Sequence, residues 1–93
     1  MFDRRAIAIN KDSFEAHVKL ADLLSTAGRL KEALPHLRRL VELRPNSADT
    51  HSDLGGALIV LGFTDEADRH LRRALELDPN HSRAKQNLAV LKR

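Results

Sequence analysis

The sequence predicts an all-α fold, a solenoid of antiparallel helix pairs with two full repeats flanked by half-repeats. Three observations carry that expectation. His51, Leu54-Gly55, Leu58, Gly62, Ala67, Leu71, Ala74 and Pro79 return, on subtracting 34 from each number, as His17, Leu20-Ala21, Leu24, Gly28, Ala33, Leu37, Leu40 and Pro45. A fixed period of this length marks units that cannot bury their apolar face alone and stack on their neighbours to do so. Within each period the apolar residues fall three or four apart, which is helical spacing, and Gly and Pro stand at the ends of the runs.

Taken in order, residues 1–12 read as the end of a preceding repeat. Arg4-Arg5-Ala6-Ile7-Ala8-Ile9 aligns with Arg38-Arg39-Leu40-Val41-Glu42-Leu43 and with Arg72-Arg73-Ala74-Leu75-Glu76-Leu77, and Lys11 stands where proline stands later. Residues 13–46 form one repeat. Asp12 or Ser13 is placed to cap its first helix, with Glu15 in the first turn facing the positive end of the dipole. Phe14, Val18, Ala21 and Leu24, with Leu20 and Ala27 beside them, make a broad apolar stripe that ends at Gly28. Leu30 to Leu43 is the partner helix. Pro35 lies inside it, so the helix is expected to start near Lys31 or Glu32, keeping the loss to one backbone bond.

Pro45-Asn46-Ser47 closes that repeat and opens the next, residues 47–80. A helix from about Ala48 to Leu61 ends at Gly62; Thr64 is read as the cap of a helix running to Leu77, with Asp65 and Glu66 in its first turn. Residues 81–93 supply the first helix of a third repeat, or a cap, with Ala84, Leu88 and Leu91 on one face. Ala21, Gly55 and Ala89 recur at one seam and Ala33 and Ala67 at another, letting helices approach closely.

The landmark pattern resembles the tetratricopeptide repeat, whose signature is Trp-x2-Leu-Gly-x2-Tyr, then Ala-x3-Phe, then Pro. The likeness covers Phe14 to Pro79 in full. The aromatics are replaced: His17 and His51 stand for Trp, Leu24 and Leu58 for Tyr, Leu37 and Leu71 for Phe. The resemblance implies a right-handed superhelix in which first helices line a concave groove and second helices form the convex back. Carried over residue by residue, the groove presents Glu15, Val18, Lys19, Asp22, Ser25 and Thr26, then Asp49, Ser52, Asp53, Gly56, Ile59 and Val60, then Arg83, Gln86, Asn87 and Val90. Acidic groups dominate its centre. Relatives that clamp the C-terminal carboxylate of chaperones have Lys and Asn where Val18, Asp22 and Asp53 stand here. Two carboxylates repel such an end, so that clamp is rejected.

Composition bounds the alternatives. Ninety-three residues support one modest core, and the absence of Cys removes disulfides and thiolate metal sites. No apolar run approaches the ~20 residues of a spanning helix, and the short run after Arg4-Arg5 is not a signal peptide, so a cytoplasmic location and no membrane partner are expected. The net charge of +3 with interleaved signs favours solubility. The five histidines follow the repeat, His17 with His51 and His36 with His70, and are read as packing or surface imidazoles rather than metal ligands.

The arginine pairs on the convex face have acids four residues away, and Phe2, Phe14 and Phe63 are the sole aromatics, which disfavours nucleic acid. No phosphate loop or nucleophile elbow is present, and Ser13, Ser25, Ser47, Ser52 and Ser82 are read as caps or exposed residues. Neither an enzyme nor a cofactor is expected. The reading is a protein-interaction module that takes a peptide or helix with basic and apolar side chains. Two alternatives stand beside it: a scaffold segment of a longer array attached to an enzyme, and self-association through Phe2, Ile7 and Ile9 at one end and Leu88, Val90 and Leu91 at the other.

Overall fold

The structure, a computed structural model, describes residues 13–92. Five helices follow one another: α1 (Phe14–Thr26), α2 (Leu30–Leu43), α3 (Ala48–Leu61), α4 (Thr64–Leu77) and α5 (Ser82–Leu91). No strand occurs among the described residues. The expected helix end at residues 1–12, with Arg4, Arg5 and the apolar residues Phe2, Ile7 and Ile9, lies outside them.

The punctuation repeats as closely as the sequence does. After α1, Gly28 takes a φ of 77°, its N–H bonds to the Ser25 carbonyl at 3.1 Å, and Arg29 N–H reaches Leu24 at 2.8 Å. After α3, Gly62 takes a φ of 90°, bonding Ile59 at 3.1 Å, and Phe63 N–H reaches Leu58 at 2.8 Å. Both are Schellman closures, which need a left-handed residue and therefore favour glycine. The two inter-repeat turns also match: Ser47 N–H bonds Arg44 at 3.2 Å and His81 N–H bonds Asp78 at 3.1 Å.

The starts of the helices are more varied. Ser13 Oγ accepts from Ala16 N–H at 3.0 Å, and Ser47 Oγ from Thr50 N–H at 3.4 Å. Changing Ser13 to Ala should cost about 1 kcal/mol in urea unfolding, with a smaller loss for Ser47→Ala because its bond is longer. At the corresponding place before α5 stands His81, whose Nδ1 accepts from Ala84 N–H at 3.2 Å. Thr64 is not a cap. Phe63 holds that position without a side-chain bond, because the Gly62 closure leads straight into α4 and Thr64 is already helical. α2 begins at Leu30, one or two residues sooner than the expected start at Lys31 or Glu32: Glu32 and Ala33 N–H both bond Arg29. Pro35 then forfeits the single bond to the Lys31 carbonyl, the cost foreseen for it.

α1 packs on α2, α2 on α3, α3 on α4, and α5 on both α3 and α4. The core is small-residue seams filled by leucine. Ala33, Leu58, Ala67, Leu71, Ala74 and Ala84 are wholly buried and Leu54 nearly so. Leu20, one period before Leu54, is 42% exposed, since α3 has α2 and α4 on either side whereas α1 meets α2 alone among the described helices. Ala89 is exposed for a related reason: no described helix follows α5 to pack against it.

Candidate partner-binding groove

The backbones of α3 and α5 pack together, but those of α1 and α3 do not. A cavity of about 390 Å³ opens between them. Its floor is Leu30, Leu37 and Leu40 of α2. One wall is Val18, Ala21, Asp22 and Ser25 of α1, and the other is Ser52, Asp53, Gly56, Ala57 and Val60 of α3, closed at one side by Arg83 and Asn87 of α5.

Helical spacing explains the walls. Val18, Asp22 and Ser25, and Ser52, Gly56 and Val60, recur three or four residues apart, so each set forms one stripe facing away from the second helix of its repeat. Glu15, Lys19, Asp49 and Gln86 are exposed outside the cavity. Ile59 is turned into the core, where it packs against both buried clusters. The floor was missed by sequence reasoning, which assigned second helices wholly to the back; Leu30, Leu37 and Leu40 reach the cavity because α1 and α3 stand apart.

The centre is less acidic than the residue types suggest. Arg83 bonds Asp53 at 2.7 Å and stands 3.5 Å from Asp49, while His81 Nε2 donates to Asp49 at 2.7 Å. His81 therefore does two things, capping α5 and tying it to α3. The hydrogen bond from His81 holds the Asp49 carboxyl below its ordinary range. Burial pushes Asp53 upward, with Arg83 opposing it. Asp22 has no bonded or ion-paired partner among the described residues. Ser52, read from sequence as exposed, is 1% exposed, and its hydroxyl has no hydrogen-bond partner. At Gly56 a Cβ would stand 3.2 Å from Asn87 Nδ2, so the missing side chain leaves room for that amide.

The convex side carries Arg38, Arg39, Arg72 and Arg73, each beside a carboxylate. Arg38 of α2 is bonded to Glu66 of α4, Arg72 to Asp68 at 2.8 Å, and Arg39 and Arg73 stand 3.8 Å from Glu42 and Glu76. The partners of Arg38 and Arg72 are thus not Glu42 and Glu76, as the i,i+4 spacing suggested. Arg38 reaches the next repeat, and Arg72 turns back one helical turn.

The histidines pair within repeats instead of stacking between them. His17 Nδ1 lies 3.0 Å from His36 Nδ1, and His51 Nδ1 lies 3.1 Å from His70 Nδ1, with ring centroids 5.2 and 5.3 Å apart. Each centroid separation is close to the nitrogen distance plus one ring radius on either side, so the nitrogens meet head-on. An ion on that line needs roughly 4 Å between the nitrogens, twice a zinc–nitrogen bond. The geometry is that of a hydrogen bond between helices.

No described helix is long and apolar enough to cross a membrane. No curated protein matches the chain in sequence. It is similar to a solved structure titled "MamA MSR-1 C2", with 29% identity and a TM-score of 0.77 over 94% of this chain. The chain spans 50% of that structure's length. The tetratricopeptide repeat family model matches residues 24–91, from the last three residues of α1 to the end of α5. Repeats of this kind are in general protein-interaction scaffolds rather than catalysts, and with the matched residues covering most of the sequence, this chain belongs to the tetratricopeptide repeat family.

Proposed function

We propose that the cavity between α1 and α3 receives an extended or helical segment of a partner protein, with a basic side chain at Asp22 and apolar side chains against Val18 and Val60. The observation that carries this is the combination of a leucine floor with an exposed carboxylate, Asp22, on the wall above it. Among the described residues Asp22 has no bonded partner, and the buried Ser52 hydroxyl has no hydrogen-bond partner. Asp22, exposed on the α1 wall, is the carboxylate that a basic side chain entering the cavity meets first, since Arg83 already holds Asp53. Val60, 74% exposed, offers apolar area at the rim.

Asp53 contributes less, because Arg83 already neutralises it. The two acids are therefore separable in a pull-down from lysate followed by titration with the recovered partner's binding segment. Asp22→Lys should weaken binding about tenfold or more, equivalent to about 1.4 kcal/mol, whereas Asp53→Asn should act weakly. Partner recovery unaffected by Asp22→Lys refutes the groove assignment. A second reading, a scaffold segment within a longer array, is favoured by the half-length coverage of the MamA structure.

A further inference from the structure

We propose that the His51–His70 contact is an acid-labile latch between α3 and α4, closed while the pair holds at most one added proton and opened when both imidazoles are charged. The inference is independent of the groove reading, since neither ring lines the cavity.

The proton positions follow from the partners. His51 Nε2 lies 2.7 Å from the Pro45 carbonyl oxygen, which can only accept, so Nε2 carries the hydrogen. In the neutral ring Nδ1 is then bare and must accept. Its partner across the seam, His70 Nδ1, is the donor at 3.1 Å, which sets His70 in the Nδ1–H tautomer with Nε2 bare. One proton can be added at His70 Nε2 without disturbing this bond. A second can enter only at His51 Nδ1, where it turns the acceptor into a donor facing another donor. No hydrogen-bonded arrangement survives that, and two like charges then stand at contact distance.

The surroundings resist even the first proton. Around the pair stand Glu66 and Arg69 on α4, Arg38 on α2 and the Pro45 carbonyl before α3. Glu66 Oε2 is 3.7 Å from His70 Nε2, but Arg38 is bonded to the same carboxylate and spends much of its charge. Burial first, then the His51 ring, pushes His70 below its ordinary value of 6.5. A His held below its unfolded value binds fewer protons folded than unfolded, so stability is full above that value and falls as pH drops through it.

Counting protons gives the size. With the latch closed the pair offers one place for an added proton, at His70 Nε2; with it open, as in the unfolded chain, it offers two. The ratio of folded to unfolded protein therefore falls about tenfold for each pH unit below the imidazole range through this pair alone.

The test uses the whole chain with His70→Asn. An asparagine amide can present either N–H or C=O toward His51 Nδ1, so it bonds that ring in both protonation states. Urea unfolding between about pH 7.5 and 5 should show a stability slope shallower in H70N than in wild type by about one proton. Nitrogen-15 NMR of the unmodified protein at neutral pH should show His51 as the Nε2–H tautomer and His70 as the less common Nδ1–H tautomer. Equal slopes in the two proteins overturn the proposal. So does a His70 that carries its neutral proton on Nε2, a readout that remains even if H70N does not fold.

Discussion

Gly55→Leu is expected to lower the stability of the domain by about 3 kcal/mol, the upper part of the range for overpacked cores, with a fall in Tm of roughly 10–20 °C. A Cβ built at Gly55 stands 2.7 Å from both Cγ and Cδ2 of Leu71, and 3.5 Å from the Ala67 carbonyl oxygen. Leu71 is wholly buried, so its side chain has no open space into which to swing. The backbone of α3 would have to move away from α4, taking with it Leu54 and Leu58, which with Leu71 are the largest fully buried side chains among the described residues. The glycine weakens α3 intrinsically, by about 1 kcal/mol relative to alanine, and the close approach to α4 is what that weakness makes possible. Thermal unfolding of G55L at wild-type temperature would remove the seam as an explanation of the fold.

The repeat period made most of this architecture legible. Gly28 and Gly62 were readable as helix stops because a left-handed residue closing a helix has few alternatives, and Pro45 and Pro79 because proline cannot extend one. The boundaries failed at Thr64, where the type of residue suits a cap but the tight Gly62 closure leaves no room for one. It failed differently at Ser52. Its spacing placed it correctly on the inner wall, but burial depends on how closely the neighbouring helices pack on α3, and no local pattern encodes a distance between helices. The same blindness hid the leucine floor and the neutralisation of Asp53, since Arg83 lies 30 residues away and meets it only through the packing of α5 on α3. The histidine pairs had a signal that went unused. His17 to His36 and His51 to His70 are both 19 residues apart, and two equal offsets spanning a hairpin point to a contact repeated in each.

Leu71→Ala is expected to cost about 3–4 kcal/mol, because the site is enclosed on all sides and cannot collapse fully around the loss. The more telling result comes from combining it with Gly55→Ala. In the native background the new methyl group meets Leu71 at a distance that real Cβ atoms do not tolerate, and the resulting strain outweighs the gain in helix propensity, for a net loss of about 1 kcal/mol. With Leu71 already alanine, both of the clashing atoms are gone and the nearest remaining contact is the Ala67 oxygen at 3.5 Å, an ordinary separation. Gly55→Ala then fills part of the cavity and strengthens the helix, and should stabilise by about 1 kcal/mol. A double-mutant cycle in urea should therefore give a coupling of about 2 kcal/mol, whereas additivity within about 0.5 kcal/mol would mean that the two residues do not share the space assigned to them. The coupling bears on the shape of the cavity as well as on folding. Gly55 faces α4 and Gly56, the next residue, faces Asn87 of α5 at the edge of the cavity. One helix uses consecutive glycines to approach two neighbours, so a displacement of α3 from α4 also shifts the wall that carries Ser52 and Val60.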